Sequence, residues 1–127
     1  MEKQIISTKN APAALGPYSQ AVKVGNLLYT SGQLAINVVT GEFINDDIKK
    51  ATAQSLENVK AVLEEAGTTM DKVVKTLVFL KDMNDFDLMN EVYAQYFSVN
   101  PPARSCVQAG KLPKDALIEI EVIAIVQ

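Results

Sequence analysis

Short apolar runs punctuate the first third of the chain: Lys3-Gln4-Ile5-Ile6, Ala21-Val22-Lys23-Val24 and Leu27-Leu28-Tyr29-Thr30-Ser31. Their β-branched and aromatic content predicts strands. Gly25-Asn26 between the second and third is a hairpin signal. Gly32 interrupts the third, which marks either a bulge or a point where another group approaches the backbone closely. Gln33 to Asn37 is expected to continue extended, up to a turn at Thr40-Gly41-Glu42. Asn10 to Pro17 reads as an ordered loop.

The period then changes. Ile48, Ala51, Ser55, Leu56, Val59, Val62, Leu63 and Ala66 recur at three- and four-residue spacing, as on one face of a helix. Asp46-Asp47 supplies its N-cap, and Gly67 a natural end. Val73 to Leu80 is rich in β-branched residues and predicts a strand. Asp85 is expected to cap a second helix with the apolar face Phe86, Met89, Val92, Tyr93, Tyr96 and Phe97, stopped by Pro101-Pro102. Two strands follow, Ala103 to Ala109 and Leu117 to Val126. The order β-β-β-α-β-α-β-β predicts an α+β fold, with two helices packed on one face of a mixed sheet.

The last strand is apolar on both sides. Ile118, Ile120, Val122 and Ala124 face one way, and Leu117, Glu119, Glu121, Ile123 and Ile125 the other. Two helices cover only one face, so the second calls for another cover, most simply a further copy of the chain. A homo-oligomer is therefore expected from the pattern alone.

Composition narrows the chemistry. The 127 residues suit one domain. No apolar run approaches the ~20 residues of a membrane span, and no signal peptide is read at the polar N-terminus. The net charge is −3, and the lysines are scattered among acids, which disfavours a nucleic-acid surface. A single cysteine, Cys106, precludes an intrachain disulfide and suits a reducing, cytoplasmic setting. The chain has no histidine, which removes Ser-His-Asp and Cys-His catalysis and His-ligated zinc. No cofactor or metal motif is present.

Arg104 is the only arginine, set at a strand start after a rigid Pro-Pro. Its planar fork matches a carboxylate with two parallel hydrogen bonds; a surface or interface salt bridge is the competing reading. Glu119 and Glu121 share a strand face. A carboxyl in an apolar wall has a raised pKa and exchanges protons near neutrality, although both can equally pair with lysines at an interface. Cys106 falls on the same strand face as Arg104 and is either a thiol near a cation or a packed core residue. Tyr18 either presents its hydroxyl to a cleft or packs. Phe86, Tyr93 and Phe97 are spaced as helix core.

Gly16-Pro17-Tyr18-Ser19-Gln20-Ala21, Tyr29-Thr30-Ser31-Gly32-Gln33, Lys75 to Asp82, Pro102-Ala103-Arg104-Ser105-Cys106-Val107, and Leu112-Pro113-Lys114-Asp115 leading to Glu119-Ile120-Glu121 stand in the order and spacing of the Rid/YjgF family of enamine/imine deaminases. The resemblance covers nearly the whole chain, residues 1–127 as a single Rid-type domain. It implies a chorismate-mutase-like fold assembled as a homotrimeric barrel, with sites in clefts between subunits and no cofactor. It implies hydrolysis of 2-imino acids such as 2-iminobutanoate and 2-iminopropanoate to 2-oxo acids and ammonia, removing reactive products of pyridoxal-phosphate enzymes. Carried over by residue, Arg104 binds the substrate carboxylate and Glu119 orients the attacking water. Tyr18 closes the pocket, and backbone around Gly32 and Cys106 completes it, with Ser31 and Asn90 as weaker candidates. The stretch Ser98 to Pro101 is shorter than in several relatives, which implies a different cleft rim. Two other classes stay open: a ligand sensor or chaperone-like trimer, which binds without turnover, and a ribonuclease or translation inhibitor.

Overall fold

Turn and cap chemistry sets where the elements begin and end. In a computed structural model describing residues 1–127, the first strands are β1 (Lys3–Ile6), β2 (Ala21–Val24) and β3 (Leu27–Thr30). Gly25 and Asn26 close the β2–β3 hairpin, with Val24 paired to Leu27. Helix α1 (Ile48–Glu65) starts where the Asp47 carboxylate accepts from the N–H groups of Lys49 and Lys50, donors that no helical carbonyl reaches. It stops at Gly67, whose φ of +85° lets Thr68 N–H return to the Leu63 carbonyl and its own N–H to that of Glu64. Strand β4 (Val73–Leu80), helix α2 (Phe86–Tyr96), β5 (Ala103–Gln108) and β6 (Ile118–Ile125) complete the order.

The six strands form one sheet in the order β1-β2-β3-β6-β4-β5. All neighbours are antiparallel except β4 and β5, which the α2 crossover joins in parallel. Strand β6 lies inside the sheet. Its side chains Ile118, Ile120, Val122 and Ala124 are buried, and they share one core with Leu56, Val59, Val62 and Leu63 of α1 and Met89 and Tyr93 of α2. Each large apolar side chain so buried contributes roughly 1.5–3 kcal/mol. Both helices thus sit on this one face, as the α+β order predicts. The opposite face, with Leu77, Phe79, Glu119, Glu121 and Ile123, is only half-buried, and Tyr29 and Val107 on it are exposed. No helix is long and apolar enough to cross a membrane.

Two local expectations change. Gln33 to Asn37 does not extend β3. The strand ends at Thr30, and only isolated bridges remain, Gln33 to Ile120 and Ile36 to Phe43. Gln33 still exchanges both backbone hydrogen bonds with Ile120, but beyond it the segment turns to other partners. Buried polar side chains of α1 claim this segment's carbonyls: Ser55 Oγ donates to Gln33 O at 2.7 Å, and Asn58 Nδ2 donates to Leu34 O and Ile36 O, each at 2.9 Å. The chain is drawn off the sheet towards the helix. Asp85, in turn, makes no capping hydrogen bond. A 3-10 turn at Met83–Asp85 precedes α2, and Asp82 caps that turn by accepting from Asn84 N–H.

Asn58→Ala should therefore leave the Ile36 carbonyl without a partner, while Leu34 O keeps the Ile36 N–H at 3.0 Å, and lower stability by about 1–3 kcal/mol. Urea unfolding, followed by circular dichroism at fixed protein concentration, measures it.

Candidate functional site

The two-residue period of β6 that buries Ile118 and Ile120 turns Glu119 to the other face. Glu119 is half-buried there, beside its antiparallel partner Phe79. Gly32 passes directly against it: a Cβ on Gly32 would lie 2.6 Å from Glu119 Cδ and 2.7 Å from Oε2. Any larger residue at 32 would have to displace the Glu119 carboxylate from that space, so close approach, rather than a bulge, accounts for the glycine. Burial, and then the charge of Glu121 on the same strand face, push the Glu119 pKa above its ordinary 4.5. The carboxyl holds a proton more readily than a surface glutamate.

Glu119 and Gly32 line a cavity of about 320 Å³ together with Tyr18, Leu34, Ile36 and Lys114. Tyr18 is 53% exposed at its edge. Buried Gln20 holds the loop that forms one wall, accepting from Thr8 N–H at 2.6 Å and donating to Pro12 O at 2.8 Å. Ser31 braces the same loop: its hydroxyl donates to Ser19 O at 2.6 Å and its N–H to Gln20 O at 2.9 Å. That gives Ser31 a bracing role and leaves its hydroxyl proton engaged. Lys114 stands in the left-handed region (φ 58°, ψ 20°), as does Asp115 at φ 55°, which an ion pair with Lys81 holds at 2.9 Å. Two successive non-glycine residues there store strain beside the cavity. The sequence placed Lys114 in the Leu112-Pro113-Lys114-Asp115 motif but not its strain, which depends on the fold around it.

The second group lies on the helix-facing side of the sheet. Arg104, in register with Thr76 of β4, reaches over α2. Its Nη1 donates to Asn90 Oδ1 at 2.8 Å. Its Cζ sits 4.6 Å from the Tyr93 ring centroid and 5.3 Å from that of Phe86. Neither of the chain's two ion pairs, Lys49–Glu91 and Lys81–Asp115, involves it. Asn90 therefore contacts the arginine. Phe86 and Tyr93, expected as plain helix core, also carry the guanidinium; their helical spacing matched both roles and could not separate them. Cys106 lies on this side too. Burial pushes its thiol pKa up and Arg104 only partly offsets this, so the thiol stays protonated and is a poor nucleophile.

The two groups do not meet within one chain. Arg104 and Glu119 are two strands apart and three residues out of step, hence ~14 Å between Cα atoms on opposite faces.

The family described as Endoribonuclease L-PSP matches residues 8–126. A RutC family protein of Pyrococcus horikoshii is 57% identical over 122 residues, 96% of this chain and 97% of that protein. The 2-iminobutanoate/2-iminopropanoate deaminase of Escherichia coli K12 is 50% identical over 123 residues, 94% and 95% of the two chains. The crystal structure of E. coli TdcF with bound serine superposes with a TM-score of 0.92 at 46% identity, covering 98% of this chain and 99% of that one. The chain belongs to the Rid/YjgF family. Its six-stranded mixed sheet and paired helices are the architecture of solved Rid/YjgF structures.

The raised Glu119 pKa has a stability consequence. As pH rises past 4.5, the unfolded chain's Glu119 ionises before the folded chain's. The folded state then binds more protons, so stability falls through this window. Glu119→Gln is expected to raise the unfolding midpoint at about pH 7 and to raise it less at about pH 4. Paired urea titrations of the two proteins test this; an equal gain at both pH values would count against the raised pKa.

Proposed function

We propose that this protein is a cytoplasmic homotrimeric enzyme that hydrolyses 2-imino acids to 2-oxo acids and ammonia, removing reactive imines released by pyridoxal-phosphate enzymes. One observation carries the reading. The sole arginine is half-buried and stacked, with its guanidinium anchored by an amide and free of any carboxylate of its own chain. Such a group is poised for a carboxylate from outside. The E. coli relative that bears the name 2-iminobutanoate/2-iminopropanoate deaminase supports the choice of substrate, and the serine bound to TdcF supports a small α-carboxylate ligand.

Because Arg104 and Glu119 diverge within one chain, the working site joins Arg104 of one copy to the Glu119 cavity of the next. The half-buried face of the sheet supplies the surface on which copies pack. Arg104 holds the substrate carboxylate in two parallel hydrogen bonds. Glu119 orients a water against the imine carbon. Water adds across the C=N bond, giving a carbinolamine. The C–N bond then breaks, Glu119 relaying a proton to the nitrogen, which departs as ammonia and leaves the 2-oxo acid. The apolar walls at Leu34 and Ile36 suit a short aliphatic side chain. A ribonuclease role lacks support in the charge pattern, since the chain is acidic overall and has no histidine.

The test is ammonia release from imine generated in situ by a threonine dehydratase. Wild-type protein should accelerate it. Arg104→Ala and Glu119→Gln should each lose activity by at least about 100-fold, and Arg104→Lys should be severely impaired because the fork is lost. A one-to-one mixture of Arg104→Ala and Glu119→Gln copies, refolded together, should regain about a quarter of wild-type activity, since random assembly pairs an intact arginine with an intact glutamate at one neighbour contact in four. Full activity in Arg104→Ala would sink the carboxylate role, and no recovery in the mixture would sink the shared site.

A further inference from the structure

An arginine at the edge of a sheet is an imprecise ligand holder. Its side chain has several rotatable bonds, and without support the plane of the fork wanders relative to its target. Strand β5 is an edge strand, paired only with β4, so the sheet itself offers Arg104 little restraint.

The restraint comes from α2. The guanidinium carbon lies 4.6 Å from the centroid of Tyr93 and 5.3 Å from that of Phe86, within the range of cation–π attraction. Asn90, one helical turn from Phe86 and nearly one from Tyr93, accepts from Nη1 at 2.8 Å. Tyr93 is itself fixed on two sides. Its hydroxyl and the Thr76 hydroxyl are 2.7 Å apart, and Thr76 is the residue of β4 in register with Arg104. Its ring packs on Phe97, centroids 4.7 Å apart and tilted by 42°. A core tyrosine needs only burial and one partner for its hydroxyl. Tyr93 has both, yet it also sits under a cation that has no acid from its own chain. The two rings lie within cation–π range of the guanidinium and Asn90 takes one Nη, so its other donors stay available to a ligand.

We propose that Tyr93, with Phe86 and Asn90, is a positioning residue that fixes the plane of Arg104 and selects which of its edges meets the substrate carboxylate. This rests on the carboxylate-binding reading of Arg104 given above. It adds that affinity for the acid resides in the α2 cradle as much as in the arginine's charge. The hydroxyl of Tyr93 acts indirectly, tying the ring to β4.

The experiment measures calorimetric binding of 2-oxobutanoate and of its amide to the full-length protein, beside steady-state deamination. Tyr93→Leu should weaken 2-oxobutanoate binding by about tenfold and raise KM by a similar factor, with kcat largely kept at saturation. Preference for the acid over the amide should shrink in step. Phe86→Leu, with the more distant ring, should lose less, and Tyr93→Phe, which keeps the ring, should recover most of the affinity. A purely structural role gives the opposite split: kcat falls with the active fraction while KM and the acid-to-amide preference stay unchanged. That result, or wild-type affinity in both Leu variants, overturns the cradle. Should Tyr93→Leu fail to fold, Phe86→Leu and Asn90→Ala, each of which removes a direct contact of the guanidinium, carry the same comparison. Wild-type affinity in Arg104→Ala would instead show that the carboxylate reading itself has failed.

Discussion

The complete burial of Ile118, Ile120, Val122 and Ala124 under the helices is the constraint from which the rest of the molecule follows. A strand alternates sides every residue, so burying those four on one side commits Glu119 and Glu121 to the other. The carboxylates cannot escape to a loop without unpairing β6 from β3 and β4. Glu119 is held in a half-apolar wall, where ionisation is disfavoured. The chemistry attributed to Glu119 is therefore a by-product of core packing, set in place by side chains that point away from it.

Much of this was legible in the sequence where one physical signal dominated. The span of α1 followed from its apolar period and from Asp47, and β4 from its β-branched run. The alternation of β6 predicted which side each of its eight positions faces. Signals failed where two partners competed for one group. Gln33 to Asn37 has the composition of a strand, but Ser55 and Asn58 of α1 take its carbonyls, and no local pattern shows that a distant helix will make that claim. Asp82 and Asp85 are both capping residues by type, and only the geometry of the 3-10 turn selects Asp82.

The candidate site divides the same way. Arg104, Glu119 and Tyr18 stood out by scarcity, alternation and loop context. Gly32 carried two readings, and the position of Glu119 chose between them. Phe86 and Tyr93 were hidden because a ring supporting a cation and a ring filling a core obey one helical spacing. The strain at Lys114 was hidden because it belongs to the folded chain. The separation of Arg104 from Glu119 needed the strand order, since sequence periodicity assigns sides to a strand without saying which strands are neighbours.

The single parallel pairing in the sheet has a further consequence. Because β4 returns to β5 through α2, Arg104 and every group that touches its guanidinium come from the contiguous segment Phe86 to Arg104, with Thr76 on the strand just before it. The cavity around Glu119, by contrast, gathers the loop ending at Tyr18, the turn after β3 and the approach to β6. One half of the chemistry is encoded locally and the other by long-range closure. Contacts close in sequence form early and survive rearrangement elsewhere, while distant ones wait for the whole topology. The arginine half of the candidate site is thus a cassette built apart from the rim loops. A change of length or side chain in those loops would reshape the cavity without touching the support of Arg104.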